Sequence, residues 1–459
     1  MKILFKPLLL CISVLTLISC KQEKKADATK YLLLDSRIIE ECSNVRLEVG
    51  TVKKHPANPL FEEEKEWEMR FDNLYGNVIF DEEEKIYKCW YCPFIVDSSS
   101  TGMSLQERNR RYRSPENREM AICYATSSDG ISWDKPELGL VEYNGSKQNN
   151  IIWRGPHGAG IFKDLHEHDL SKRYKVIFQG MAVAFSADGI HWSDKIKVKG
   201  VSVAGDTHNN AFWAPTLDKY VGITRTWGKG HGREVARIES YDFINWTREE
   251  VVLHGSDSER QTYAMPVFYY GGVYLGLVAI YEDSSDRVWT ELTWSPDTKI
   301  WHRIDAGSPL IPCSDIELDY DYGCVYPCAY PVFTKEEIQL YYGGSDWLHF
   351  GWRNGCLALA SLRPDGFAGY TQEDNTQAGS ITTTALAYNG EKVCITADVE
   401  KGGSVLVTVL DEQGEILTVA KAHENTITDG RLVFDNKIKA ESIHLKIEID
   451  KAKVYSFSL

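Results

Sequence analysis

Short apolar runs recur along the first 370 positions of the chain, each introduced by polar side chains and closed by a turn. The first reads Arg70-Phe71-Asp72-Asn73-Leu74-Tyr75-Gly76-Asn77-Val78-Ile79-Phe80-Asp81, followed by Lys85–Tyr91: polar opening, apolar strand, acidic turn, second strand. A run without polar alternation suits a strand buried on both faces. The same grammar returns at Gly155–Gly158 before Ala159–Phe162 and at Asp206–Asn210 before Ala211–Trp213. It returns again at Gln261–Tyr263 before Ala264–Tyr269 and at Asp319–Gly323 before Cys324–Phe333.

A second periodicity runs through the same region. Ser127-Ser128-Asp129-Gly130-Ile131-Ser132-Trp133 recurs as Ser186–Trp192, Ser240–Trp246 and Ser295–Trp301, with a degenerate fifth copy at Arg363–Phe367; the aspartates lie 59, 54, 55 and 68 positions apart. The chemistry is that of a turn: Asp accepts from loop amides, Gly takes a positive φ, and Trp packs between neighbours. These aspartates are therefore read as structural. Each period has room for about four strands; in the second unit they are Ala159–Phe162, Tyr174–Phe178, Ala182–Phe185 and His191–Val198. Such a unit is a propeller blade, and five boxes predict five blades, roughly 70–142, 157–199, 206–253, 261–305 and 321–370. The fifth lacks an outer strand, and part of Tyr31–Gly50, with Leu32–Leu34 and Val45–Val49, is expected to close the ring. The polar stretch Asp97–Glu119 is a loop insertion placed over the site mouth.

After Tyr370 the pattern changes to alternating segments between Thr382 and Ser458, with turns at Asn389-Gly390, Gly402-Gly403 and Asp411–Gly414. That predicts a small β-sandwich of seven or eight strands. The chain is thus all-β, with a signal peptide at 1–19, a tether at 20–30, a propeller at 31–370 whose segment 31–69 helps close the ring, a linker at 371–380, and a sandwich at 381–459.

Composition narrows the function. A formal charge of −15 over 459 residues argues against nucleic acid as a partner. Lys2 and Lys6 followed by the apolar run Leu8–Ile18 read as an export signal, and Leu17-Ile18-Ser19-Cys20 as a lipobox whose Cys20 takes the lipid. This implies an exported chain anchored at the outer membrane, with a soluble, monomeric body. Nine of the eleven cysteines remain beyond these segments. Cys89 and Cys92 point to opposite faces of a strand, and Cys324 and Cys328 stand about 13 Å apart along one. Both pairs read as buried apolar residues.

If the five mouths converge, as the innermost strands of a propeller do, they form a ring of Asp72 and Asn73, His157, Asp206, His208 and Asn209, Gln261 and Tyr263, and Asp321 with Tyr322. Lys163, Arg225, Trp227, His349 and Arg353 add a second ring. Carboxylates, amides, imidazoles and aromatic faces on one rim suit a sugar, and paired carboxylates can serve as acid and base. No cofactor is required, although a central structural cation such as calcium is compatible with Asp206 and His208.

The lipobox, the five repeats, the S-x-D-G-x-x-W turns and the Asp72-Asn73 opening resemble the five-bladed glycoside hydrolases of families 32, 43 and 117, and most nearly the exported family-32-like bacterial proteins. In those families an aspartate at the start of the first innermost strand acts as base or nucleophile, and Asp72 matches that position. The family-32 sequence around that residue is absent here. His157-Gly158 stands where the second blade supplies an aspartate, and Asp206-Thr207-His208 where the third supplies a glutamate acid. The acid role then falls to Asp206 or Asp321. The resemblance implies a glycoside hydrolase acting on an oligosaccharide or polysaccharide end. The alternatives are a non-catalytic glycan-binding lipoprotein, or a phosphorylase or lyase on the same scaffold.

Overall fold

The computed structural model describes residues 29–98, 105–113, 115–390 and 392–459. The export signal, Cys20 and most of the tether lie outside the described residues. The architecture is all-β, and among the described residues no helix is long and apolar enough to cross a membrane.

Residues 70–362 form five successive antiparallel units. The first pairs Asn77–Asp81, Ile86–Tyr91, Glu119–Ser127 and Ile151–Arg154 in spatial order, with Phe94–Val96 beside the third strand. The second pairs Gly160–Lys163, Tyr174–Phe178, Ala182–Ser186 and Ile196–Lys197. Its last strand is shorter than expected because His191 and Trp192 stay in the turn. The third runs through Asn210–Ala214, Lys219–Gly228, Gly232–Ser240 and Glu250–Leu253. The fourth is built on Arg260–Ala264, Val273–Glu282, Arg287–Ser295 and His302–Arg303. The fifth has Cys324–Pro327, Ile338–Ser345 and Gly355–Leu362, and its outer edge is Lys53–Lys54 and Phe61–Glu62. Closure thus comes from the N-terminal segment, but from 53–62. Of the expected closers, Lys30–Leu32 and Val45–Val49 pair instead with Ser456–Ser458 and Ala368–Gln372, although Leu32, Leu34 and Val49 pack against the fourth and fifth units.

The four complete turn boxes share one set of hydrogen bonds. In the first, Asp129 Oδ1 accepts from the amides of Ile131 and Ser132 at 2.8 and 2.7 Å, and Ser127 Oγ accepts from Gly130 N at 2.8 Å. Asp188, Asp242 and Asp297 repeat the arrangement. The residue after each aspartate has positive φ, filled by Gly130 and Gly189 but also by Phe243 and Thr298. The fifth copy behaves otherwise. Asp365 accepts from Lys30 Nζ at 2.8 Å, Ser456 Oγ at 2.6 Å and Thr396 Oγ1 at 3.1 Å, as well as from Tyr270 OH. It fastens the fourth and fifth units to the C-terminal region.

Neighbouring units share apolar clusters. Trp90 and Ile122 pack with Ile161 and Val176, Phe162 and Val183 with Ala211 and Ile238, and Val221 and Ile223 with Met265 and Val278. Leu275 and Leu292 pack with Val325 and Leu340, and Val78 and Cys89 with Cys328 and Tyr341, so the fifth unit touches the first. Polar clasps accompany the packing. Asn77 of the first innermost strand donates to Ala159 O at 2.8 Å and accepts from Ile161 N at 3.0 Å in the second. Ala329 N donates to Gly76 O at 2.9 Å, joining fifth and first. A Cβ at Gly160 would stand 2.0 Å from Asn209 O, so only glycine permits this approach of the second and third strands.

A recurring ionic clasp lies at the other end of these strands. Asp81 accepts from Lys88 Nζ at 3.0 Å, Lys163 Nζ at 2.8 Å and Tyr174 OH at 2.7 Å. Asp164 repeats it with Lys175 Nζ at 2.8 Å and Tyr220 OH at 2.7 Å. Each aspartate neutralises a buried lysine and holds a tyrosine of the next unit.

The C-terminal region is one ten-stranded antiparallel assembly. It rests on two long strands, Cys394–Leu410 and Ser442–Ser458, paired along their length. Each covers two of the shorter strands expected from the sequence, because β-bulges carry the pairing past the turns at Gly402-Gly403 and Asp450-Lys451. Lys30–Leu32, Ile39–Ser43 and Val45–Val49 also belong here, as do Ala368–Gln372 and Gly379–Thr383. The expected linker at 371–380 is therefore largely strand and turn.

The Asp81 clasp gives a stability test. Asp81→Ala leaves the buried Lys88 and the nearly buried Lys163 without this partner and should cost about 3–5 kcal/mol in equilibrium urea unfolding. Glu82→Ala, on an exposed side chain, should fall within about 0.5 kcal/mol of the parent. Equal effects would remove the clasp from the account.

Candidate functional site

The residues before the first innermost strand are wound tightly. Asp72, Leu74 and Tyr75 all have positive φ, at 53°, 58° and 47°. Such conformations cost of order 1–3 kcal/mol each and persist where surroundings over-determine them. The segment is held by Phe71 N donating to Glu63 Oε1 at 2.9 Å, Cys92 N to Leu74 O at 2.9 Å and Phe94 N to Arg70 O at 2.8 Å. Its effect is to turn Asp72 and Asn73 toward Arg353 of the fifth unit.

Asp72 Oδ1 accepts from Arg70 Nη1 at 2.9 Å and from Arg353 Nη2 at 2.7 Å. No bond from a described residue reaches Oδ2 in this arrangement. Burial disfavours the Asp72 charge, but the two guanidiniums outweigh it and hold the carboxyl well below its ordinary range. Arg353 Nη2 also donates to Asn73 Oδ1 at 2.8 Å, and its Nη1 to His349 O. Asn73 Nδ2 donates to the hydroxyls of Tyr75 at 2.8 Å and Tyr263 at 3.2 Å. Arg70 Nε reaches Asp97 at 3.1 Å, and its guanidinium stacks 3.8 Å from the Tyr112 ring. Tyr112 belongs to the insertion, which docks through Tyr112 N to Phe350 O at 2.6 Å and Arg108 to Asp346 at 2.5 Å.

These groups line a cavity of about 210 Å³. Asp72, Asn73, His157, Asp206, Arg225, Trp227, Tyr263, His349 and Arg353 all face it, from all five units. Asp206 stands at the rim, its side chain about half exposed, with Oδ2 bonded by Arg225 Nη2 at 2.8 Å and Oδ1 by Gln179 Nε2 at 3.3 Å. Tyr75 forms part of the floor, its ring centroid 5.1 Å from that of His157.

Six expected residues lie elsewhere, among them Tyr322, whose ring lies against Arg287 and Trp347. Asp321 is fully buried, accepting from Lys54 Nζ at 2.6 Å and Tyr342 OH at 2.8 Å. It joins the N-terminal edge strand to the fifth unit and does not reach the cavity. His208 is buried beneath Tyr75, with Nε2 3.2 Å from Asn77 Oδ1. Asn209 donates to Gly158 O at 2.9 Å and Gly205 O at 2.8 Å, clasping the second and third units. Gln261 accepts from Arg233 Nη1 at 2.8 Å and so orients a lining residue without lining the cavity itself. Lys163, of the second ring, belongs to the Asp81 clasp. With His208 taken by Asn77, the pairing with Asp206 that would favour a cation is absent. Among the described residues no group of three or more His, Cys, Asp or Glu is arranged to hold a metal ion.

Further lining residues were not singled out from the sequence: Arg70, Tyr75, Phe94, Tyr112, Arg118, Met120, Gln179, Arg233 and Phe350. Arg70 had no readable signal, because the left-handed turn at Asp72 that brings the two side chains together is not extended chain. Arg233 had a weak one, as the cross-strand partner of Trp227 in a hairpin.

Chemically, Asp72 is an acceptor that Arg70 and Arg353 hold ionised near neutrality. It can bind a hydroxyl, oppose developing positive charge or attack an electrophilic carbon, but it has no proton to give near neutrality. The imidazoles are neutral. Burial outweighs nearby Asp206 and Asp72 and pushes His157 down to about 4, while burial, aided by neighbouring His157, takes His208 to about 3. Burial together with Arg353 and Arg233 holds His349 well below its ordinary value.

The sequence matches no protein-family model. It matches no curated protein. Among solved structures it is similar to an N-acetylgalactosamine deacetylase from F. plautii, in complex with blood group B trisaccharide, at 14% identity and TM-score 0.47, covering 70% of this chain and 96% of that one. A glycosyl hydrolase from Bacteroides ovatus aligns at 14% identity and TM-score 0.46, covering 71% and 96%. An α-L-arabinofuranosidase from Podospora anserina, in complex with cellotriose, aligns at 11% and 0.45, covering 68% and 97%. Likeness at this level assigns no chemistry to this chain.

The neutral histidines predict a pH response. The unfolded chain protonates them near pH 6.5, whereas the fold does so only at much lower pH. Their contribution is complete above about pH 6.5 and declines on acidification by about 1.4 kcal/mol per pH unit for each. Glu63, pushed up to about 7 by burial, works in the opposite sense for one proton as pH rises from 4.5. The net expectation is lower unfolding free energy at pH 5 than at pH 7 in urea titrations, with a shallower slope in His208→Gln. A flat profile would contradict it.

Proposed function

We propose that the five units are the blades of a five-bladed β-propeller followed by a β-sandwich, and that the chain is a glycoside hydrolase acting on an oligosaccharide or polysaccharide end in the central pocket. One observation carries the reading: two carboxylates from separate units, Asp72 and Asp206, line one small cavity whose other walls are aromatic rings and hydrogen-bond donors. Sugar recognition needs flat apolar faces and bidentate polar partners, and glycoside cleavage commonly uses two carboxyl groups flanking the scissile bond. Asp72 takes the role of base or nucleophile, for which a charged, part-free carboxylate is suited. Asp206, at the rim, takes the role of acid. Asp321 is left out because it is sealed against Lys54. Export and a lipid on Cys20, read from Lys2, Lys6, Leu8–Ile18 and Leu17-Ile18-Ser19-Cys20, belong to the same proposal, with the pocket outside the cytoplasm.

A second reading is a non-catalytic glycan-binding lipoprotein. It is favoured by the double guanidinium clamp on Asp72, which reduces that oxygen's basicity.

The two are separated by assaying the parent protein, Asp72→Asn and Asp206→Asn against plant, algal and host glycans, with reducing ends and binding read in parallel. Hydrolysis by the parent, falling by ~10²–10⁴-fold in either variant with binding retained, supports the enzyme. Binding without turnover in all three proteins supports the second reading. Turnover unchanged in Asp72→Asn removes Asp72 from the mechanism.

A further inference from the structure

The cavity is cationic although the chain is acidic. Five arginines line it against two aspartates. Arg70 and Arg353 share Asp72, and Arg70 also reaches the buried Asp97. Arg225 and Arg233 are differently placed. Their guanidinium carbons stand 5.2 and 4.9 Å from the centroid of the same Tyr263 ring, and 5.4 and 5.0 Å from that of Trp227. Both side chains are more than nine-tenths buried, at 6% and 8% residual exposure. Between them they have one ion-pair carboxylate, Asp206, which is itself about half exposed to solvent. The side-chain partner of Arg233 is a neutral amide, Gln261. Arg225 Nη1 and Arg233 Nε have no hydrogen-bond partner among the described residues. Two like charges held side by side on shared aromatic faces call for a counter-charge, and guanidinium forks match oxyanions. The nearby His349 adds no charge, being held neutral.

We infer that Arg225 and Arg233 form an oxyanion subsite, so that the ligand of this pocket presents a carboxylate, sulfate or phosphate to the wall formed by Trp227 and Tyr263. The anion has two sources with the same chemistry: a charged group on the glycan, such as a uronate or sulfate ester, or free inorganic phosphate beside a neutral sugar. This deepens the glycan reading and rests on it only for the identity of the ligand's remainder.

The test is titration calorimetry on the whole protein with uronate-bearing oligosaccharides, sulfated oligosaccharides, their neutral counterparts, and inorganic phosphate alone. The parent should bind a charged set at least tenfold more tightly than its neutral counterpart, or bind phosphate alone. That advantage should fall below twofold in Arg233→Gln. It should fall likewise in Gln261→Glu, which gives Arg233 a carboxylate partner in place. The second variant should melt no lower than the parent, so loss of binding there is not loss of fold. Asp72→Asn should keep the preference. Phosphate binding lost in both variants assigns the anion to the free ion; a charged-glycan preference lost in both assigns it to the sugar. Equal binding of charged and neutral glycans with no phosphate binding, a preference untouched by both variants, or no binding of any of these probes overturns the inference. Neutral glycans cleaved without charge preference would sink it and leave the hydrolase reading standing. Anionic glycans bound through Arg233 but never cleaved would do the reverse.

Discussion

Arg70 and Arg353 converge on one oxygen of Asp72, and much of the central region follows from that contact. Both guanidiniums are almost fully buried, so each needs an anion within reach to remain there. Arg353 comes from the fifth unit and Asp72 precedes the first strand, so the ion pair spans the place where the first and last units meet. The same contact explains why the chain tolerates left-handed backbone at Asp72, Leu74 and Tyr75. Unwinding the segment would separate the carboxylate from its partners. Local strain, closure and pocket electrostatics are one arrangement viewed at three scales.

Charge is partitioned by residue type. At one end of the innermost strands, Asp81 and Asp164 neutralise lysines whose ammonium groups are buried between units. At the other end the cations are arginines, lying against Phe94, Tyr112, Trp227 and Tyr263. The difference is physical. An ammonium is compact and strongly hydrated and needs a carboxylate when buried, whereas a guanidinium can be desolvated against aromatic faces. A pocket of low dielectric lined this way focuses positive potential within a molecule of net charge −15.

The parts legible in the sequence were those written over short distances. Ser-x-Asp turns announce themselves because the hydrogen bonds close within four residues, and the polar openings were visible because each adjoins its own strand. Asp72, His157, Asp206 and Tyr263 were found that way. Asp321 shares the same local grammar, yet its carboxylate is claimed by Lys54, a residue whose position depends on the far end of the fold. His208 and Asn209 were diverted likewise, by Asn77 and by the carbonyls of Gly158 and Gly205. Arg233 escaped notice because it enters from a hairpin whose register fixes its direction. What the sequence withheld was the partner on a distant unit, and that partner decides whether a polar side chain faces the cavity or the wall.

The outer edge of the fifth unit and the start of the ten-stranded assembly are both made from residues 30–62. Lys30–Leu32 pair with Ser456–Ser458, and Phe61–Glu62 with Cys356–Leu357. During synthesis Phe61–Glu62 therefore wait for Cys356–Leu357, and Lys30–Leu32 wait longer still, for Ser456–Ser458. Contacts of such sequence separation are slow to form. The five units can pair their strands once residue 362 has been made, whereas the assembly that holds Lys30–Leu32 cannot be completed before Ser456–Ser458, and until then its partners expose the edges those strands cover.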